Sequence, residues 1–183
     1  MVYIMRHGKT DWNEKHKLQG RTDIPLNEDG RLMAQTAREE YRDVHFDLCF
    51  SSPLKRAAET AEIFLRGRDV PIQTDERLLE MSFGVYEGLE NCLQVPNCPI
   101  NVIFKDPASY TGSVGGAETF EALFARADSF LSEMILPRER LGKDILIVGH
   151  GALNAAIVCR VKQLPLSEFW SSGLAQCKLM RLI

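Results

Sequence analysis

The chain has 183 residues, 45% of them apolar and 26% charged, an ordinary balance for a globular protein with one well-filled core. A formal charge of −3 argues against nucleic acid or an anionic membrane as the main partner, and no apolar run approaches the ~20 residues of a bilayer span. The opening six residues are too short for a signal peptide, and the five cysteines (Cys49, Cys92, Cys98, Cys159, Cys177) lack zinc-like spacing, so the expectation is a cytoplasmic protein with free thiols and no structural metal.

Residues 2–5 form a short apolar run, predicted as the first strand, which ends at Arg6-His7-Gly8. A polar loop reaches Pro25. Asn27 is then placed to cap a helix whose Met33, Ala37 and Tyr41 recur every four residues. Residues 46–50 read as a second strand. Ser52-Pro53 reads as a helix start, with the serine as cap and the proline at the first helical position, leading through Ala57, Ala61 and Phe64. Residues 70–73 are a third, short strand. Residues 81–116, with Pro96, Pro99 and Pro107, read as an irregular functional cap. Phe120, Leu123, Phe124, Ala127, Leu131 and Met134 then share one helical face. Residues 144–148 form a continuous apolar strand, residues 152–161 a helix apolar almost all round, and residues 177–182 a closing strand.

Strand–helix alternation with burial of both faces predicts an α/β three-layer sandwich around a mostly parallel sheet, with residues 1–183 as one catalytic domain and 81–116 as its cap. Ligands of such sheets bind beyond the carboxyl ends of the strands. Two histidines fall at that edge: His7 after the first strand, and His150, between Gly149 and Gly151, after the apolar run 145–148.

Two imidazoles and nearby arginines at one sheet edge suit phosphoryl transfer. A neutral imidazole is a nucleophile toward phosphorus, and guanidinium groups hold the spreading oxygens. His7 is the candidate nucleophile, with Arg6 adjacent and Arg56 in the first turn of its helix. Gly151 opens the buried helix, so its N–H can point at an anion with the helix dipole behind it. His150 can donate a hydrogen bond or carry positive charge toward the phosphoryl group. Glu80 is the candidate acid, because a carboxylate beside a phosphate is pushed toward its protonated form. Glu87, in the same loop, is the alternative. His16 and His45 have no supporting neighbours and read as surface residues, and Trp12 and Tyr86 read as packing residues. A metal held by His7, His150 and Glu80 would be repelled by the two arginines.

Six ordered segments extend this pattern: Arg6-His7-Gly8-Lys9-Thr10-Asp11-Trp12-Asn13 with Leu18-Gln19-Gly20, Pro25-Leu26-Asn27-Glu28-Asp29-Gly30, Ser51-Ser52-Pro53-Leu54-Lys55-Arg56-Ala57, Leu79-Glu80-Met81 with Gly84 and Glu87-Gly88, Gly115-Gly116-Ala117-Glu118, and Val148-Gly149-His150-Gly151. On these the chain resembles the histidine phosphatase superfamily, also called phosphoglycerate mutase-like. The resemblance implies that His7 becomes a phosphohistidine, that Glu80 donates the proton, and that Arg6, Arg56 and His150 form the phosphate pocket. It also implies that Asn13 and the Gly151 amide add hydrogen bonds, that Gln19 and Gly20 face the substrate, and that neither metal nor other cofactor is needed. Two departures stand out. Lys9 occupies a position where Glu or Gln is usual, adding positive charge near the pocket, and the stretch between Gly88 and Gly116 is short.

A mutase must hold a carboxylate and a second phosphate, yet between Met81 and Ala125 the only Lys or Arg is Lys105. The cap offers Val95, Pro96, Pro99, Ile100, Val102, Ile103 and Phe104 instead. The expected function is therefore a hydrolase of a small phosphorylated metabolite with a modestly charged or partly apolar second half. The alternatives are a cofactor-dependent phosphoglycerate mutase, a non-catalytic phosphate-binding module, or a cap whose apolar run 102–104 joins two copies as a homodimer.

Overall fold

The strand pattern read from the sequence becomes one five-stranded sheet in the computed structural model, which describes residues 1–183. The strands are β1 (Val2–Arg6), β2 (Leu48–Ser51), β3 (Ile72–Thr74), β4 (Ile145–Gly149) and β5 (Leu179–Arg181), in the order β3-β2-β4-β1-β5. β1, β2, β3 and β4 run parallel, and β5 lies antiparallel on the β1 edge. The sandwich expected from the sequence is therefore present.

Strand side chains alternate between the two faces. Val2, Ile4, Phe50, Ile145 and Ile147 pack with α5 (Phe120–Phe130) and α7 (Gly151–Lys162). Met5, Cys49, Leu146 and Val148 pack on the other face with α2 (Glu28–Glu40) and α3 (Lys55–Leu65). β4 is buried at all five positions, as its unbroken apolar run requires. α7 is buried from Ala152 through Cys159, which explains why its sequence shows almost no polar face. No helix is long and apolar enough to cross a membrane.

Two boundaries differ from expectation. Ser52 does not cap α3: its N–H donates to Val148 O at 3.0 Å, which holds it against the sheet. Pro53 lies ahead of the helix, and α3 begins at Lys55 with Leu54 at the cap and no side-chain capping bond. The helix expected through Met134 is α-helical only to Phe130 and widens into a π turn over Leu131–Ile135, followed by α6 (Leu136–Glu139). Pro137 has no N–H to give the preceding turn, and Arg138 Nη1 bonds Met134 O at 2.9 Å instead.

The cap is also more ordered than its prolines suggest. It contains single helical turns at Gly84–Tyr86, Cys92–Gln94, Pro99–Asn101 and Pro107–Ser109, and a short α4 (Val102–Lys105). Ile100 and Ile103 are fully buried in the core. Cys92 and Cys98 are unpaired, as are the other three cysteines.

Candidate active site

Sheet register brings the two histidines together. Met5 pairs with Val148 and Arg6 with Gly149, so the next residue of each strand is a histidine. His7 N–H continues the ladder by donating to Gly149 O at 3.0 Å. The two ring centroids lie 5.1 Å apart, tilted by 59°. His7 Nδ1 is 2.7 Å from Gly8 O, so it carries the proton and donates to that carbonyl. Nε2 is then the unprotonated nitrogen, the state a nucleophile needs. Burial, followed by the charges of Arg56 and Arg6, pushes the His7 pKa well below the ordinary histidine value.

His150 is fully buried beside His7. Burial, then Arg56, His7, Arg6 and Arg126, push its pKa well below normal too. Of the two roles read for it, the positively charged one is therefore disfavoured in the free protein, and the hydrogen-bonding role remains. Residue order alone does not choose between them, because the choice depends on burial and on the guanidinium groups of Arg56, Arg6 and Arg126.

Arg56 is fully buried, with Nη1 donating to Thr22 O at 2.8 Å and Nη2 to Gly20 O at 2.6 Å. These two bonds fix the loop before α2 and leave other guanidinium N–H groups unspent. The Nε atoms of Arg6 and Arg56 and both ring nitrogens of His150 are buried and make no hydrogen bond within the protein. A neutral His150 donates through only one of its ring nitrogens, so these atoms supply three unspent donors beside His7; buried donors are normally paired, and such a group marks a place built for an anion.

Glu80 closes the same cavity. Its Oε1 accepts from Met81 N at 2.9 Å and Leu153 N at 3.0 Å, and its Oε2 accepts from Ala152 N at 3.1 Å. The carboxylate thus sits on the N-terminus of α7, where orphan N–H groups and the helix dipole favour negative charge. A Cβ on Gly151 would lie 3.5 Å from Glu80 Oε2 and 3.7 Å from Arg6 Cζ, so Gly151 lies between acid and arginine. Glu87, the alternative acid, is fully engaged elsewhere: it accepts from Arg21 N, Thr22 N, Thr22 Oγ1 and Phe83 N. It staples the Gly20 loop to the cap. Gly20 has φ +56°, and a Cβ there would overlap the Glu87 carboxylate.

Asn13 combines two readings. Its Oδ1 accepts from Thr10 N at 3.1 Å in the capping box of α1 (Asp11–Glu14) and from Gln176 Nε2 at 2.9 Å. Its Nδ2 makes no hydrogen bond within the protein, and the residue lines the cavity beside His7. Gln19 Oε1 lies 3.0 Å from Thr10 Oγ1. Arg6, His7, Asn13, Gln19, Gly20, Arg56, Glu80 and Gly151 all line one cavity of about 160 Å³; His150, its ring centroid 5.1 Å from that of His7, is not part of the lining. Lys9 does not add charge to it: Nζ pairs with Asp29 at 3.0 Å and Glu14 at 3.7 Å on the surface. His16 and His45 are exposed and take no part.

Several contributors were not legible in the sequence. Arg126 Nη1 donates to Arg77 O and Leu79 O, both at 2.6 Å, while its Nε and Nη2 grip Glu118. Arg21 also contacts Glu118 and donates through Nε to Glu80 O at 3.2 Å. Two guanidinium groups bridged by one carboxylate therefore hold the backbone that carries Glu80. Lys17, Phe83, Phe104 and Trp170 complete the cavity wall. Trp170 comes from the segment before β5, and no local motif signals its position.

The chain resembles known proteins over most of its length. The family model described as histidine phosphatase superfamily (branch 1) matches residues 2–183. A 2,3-bisphosphoglycerate-dependent phosphoglycerate mutase of Cytophaga hutchinsonii is 31% identical over 177 residues, covering 96% of this chain and 83% of that protein. An uncharacterized phosphatase, PhoE, of Bacillus subtilis is 34% identical over 160 residues, covering 87% and 76%. The structure of Bacillus stearothermophilus YhfR superposes with a TM-score of 0.82 at 32% identity, covering 93% of this chain and 83% of that one. Paired imidazoles at the ends of adjacent parallel strands, and a match that runs from the first strand to the last residue, lead to one assignment: the chain belongs to the histidine phosphatase superfamily, branch 1.

Proposed function

We propose that the protein is a metal-independent phosphomonoester hydrolase that works through a phosphohistidine on His7. The observation that carries this reading is the set of buried, unspent donors on Arg6, Arg56 and His150 around an imidazole whose Nε2 is free. The donors fit the three equatorial oxygens of a transferring phosphoryl group, and Asn13 Nδ2 and the Gly151 N–H add to them. The negative charge of the entering ester loads a proton onto Glu80; His7 Nε2 then attacks phosphorus, the P–O ester bond breaks, and the alkoxide takes that proton. The Glu80 carboxylate then removes a proton from water, which attacks the phosphohistidine and releases phosphate. Two guanidinium groups supply the positive charge a metal ion would otherwise bring, and they repel a cation.

Hydrolysis is favoured over phosphoryl return because the lining residues left over from the phosphate assignments are apolar except for Lys17: Leu18, Phe83, Phe104, Ala152 and Trp170. A bisphosphorylated substrate would need more cations there than Lys17. The B. subtilis relative is named a phosphatase and the C. hutchinsonii relative a mutase, so the reaction is decided by assay. A reducing, cytoplasmic setting is part of the same reading. The test is turnover of p-nitrophenyl phosphate and a panel of phosphorylated metabolites with a chelator present. Release of inorganic phosphate that is unaffected by the chelator is expected. Loss of activity with chelator would reject the mechanism, and efficient conversion of 3-phosphoglycerate to 2-phosphoglycerate would move the assignment to mutase.

A further inference from the structure

Apart from the residues assigned to the phosphate, the cavity wall has a composition of its own. Phe83, Phe104 and Trp170, from three separate segments, line it together. Phe104 stacks on Trp170 with centroids 5.5 Å apart and planes at 21°, and Phe83 follows at 5.6 Å and 38°. Trp170 is pinned by Nε1 donating to Ile103 O at 2.8 Å, so the rings form a fixed face. Lys17 lines the same cavity. Its backbone is anchored by N–H donation to Trp12 O at 2.8 Å, and its ammonium lies 6.0 Å from the Trp12 ring. Unlike Lys9, Lys55, Lys143 and Lys178, it forms no ion pair.

A preformed aromatic face suits a flat apolar partner, because rings of fixed geometry bind by stacking with little ordering cost. A polyol would find no polar partner on that face. An unpaired ammonium at its margin suits one negative charge. Resting on the phosphatase reading, we propose that the substrate is a phosphomonoester whose alcohol half carries a planar, ring-type apolar group and a single carboxylate-like charge. The ring lies against Phe83, Phe104 and Trp170, and the charge meets Lys17. Lys17 and Trp170 are then specificity-determining residues.

The test compares kcat/KM for ethyl phosphate, benzyl phosphate and 4-carboxybenzyl phosphate. All three release primary alcohols, so differences report the cavity wall more than leaving-group chemistry. Benzyl phosphate is expected to exceed ethyl phosphate by about tenfold. The carboxybenzyl ester is expected to exceed benzyl phosphate by about fivefold. Trp170→Leu should shrink the first ratio, and Lys17→Met should bring the second close to one. Vanadate affinity, measured on each variant, reports whether the phosphate cradle is intact. Because Lys17 is partly exposed, Lys17→Met keeps the proposal testable even if Trp170→Leu folds poorly. Equal kcat/KM for the three esters in the unmodified enzyme, or a carboxybenzyl preference that survives Lys17→Met, overturns the proposal while leaving the phosphatase reading standing. Failure of all three esters, with no phosphoenzyme formed, overturns both.

Discussion

The His7 imidazole must be neutral to attack, and its surroundings keep it so. Burial, Arg56 and Arg6 all lower its pKa, and burial, Arg56, His7, Arg6 and Arg126 lower that of His150. This has a consequence for stability. In the unfolded chain each imidazole titrates near 6.5. In the folded chain both take up protons only at lower pH, so below about pH 6.5 the unfolded state binds protons that the folded state does not. The contribution is complete above that pH and lost as the pH falls through it. Thermal melts of the ligand-free protein are expected to hold steady from about pH 8 to 7 and to fall between about pH 6.5 and 5, ahead of the carboxylate range. His7→Gln should flatten that fall, and a slope unchanged by the substitution would contradict the burial argument. Glu80 makes a separate claim. If it protonates the leaving oxygen, Glu80→Gln should cost alkyl phosphates about 10²–10⁴-fold in kcat/KM and p-nitrophenyl phosphate, whose leaving group needs no proton, far less. An equal loss for both classes would remove Glu80 from the acid role.

Loops place these residues, and their anchoring comes from side chains distant in sequence. Arg126, on α5, holds the carbonyls of Arg77 and Leu79 and is itself gripped by Glu118, with both side chains mostly buried (14% and 9% exposed). Arg126→Ala leaves that carboxylate and two carbonyls without their main partner, a loss of about 3 kcal/mol in stability. It should also reproduce part of the alkyl-phosphate defect of Glu80→Gln without adding to it in the double variant, as expected of groups acting through one another. Chemical denaturation and the same ester pair check both statements. The start of α2 is set by a close backbone approach: a Cβ on Gly30 would overlap Lys9 O, and one on Gly8 would lie 2.6 Å from Gly30 O. Gly30→Ala is expected to destabilise by about 1–3 kcal/mol, because backbone on both sides must shift. A melting temperature equal to the unmodified protein's would show that the approach is not close in solution. Gly8 and Gly30 belong to motifs visible in the sequence, but the reason for both, one backbone passing against the other, appears only when α2 is seen beside the His7 loop.

Across the whole molecule, topology assembles the centre. β4 inserts between β1 and β2, so the carboxyl ends of strands 143 residues apart deliver His7 and His150 side by side, with Arg56 entering from the helix after β2. That much was legible, because apolar runs ending in Arg-His-Gly and Gly-His-Gly mark strand ends and parallel sheets bind ligands there. The late start of α3, the hold of Arg126 on the Arg77 and Leu79 carbonyls, and Trp170 in the cavity wall were not legible, since each depends on a partner far away in the chain, whereas the π turn goes with Pro137 and Arg138 just after it. The assembled cradle concentrates unspent donors, so a phosphate-like anion should stabilise the fold: at one hundred times its Kd the gain is about 2.7 kcal/mol. Arg56→Ala should lose most of that gain, read as the vanadate-induced rise in melting temperature. The most direct measurement is trapping of the phosphoenzyme. The protein is mixed with p-nitrophenyl phosphate, quenched in alkali, digested and mapped by mass. One phosphoryl group on the peptide carrying His7, acid-labile and missing in His7→Ala, is the expected result. Steady turnover with no adduct at His7, or an adduct that persists in His7→Ala, would contradict the account.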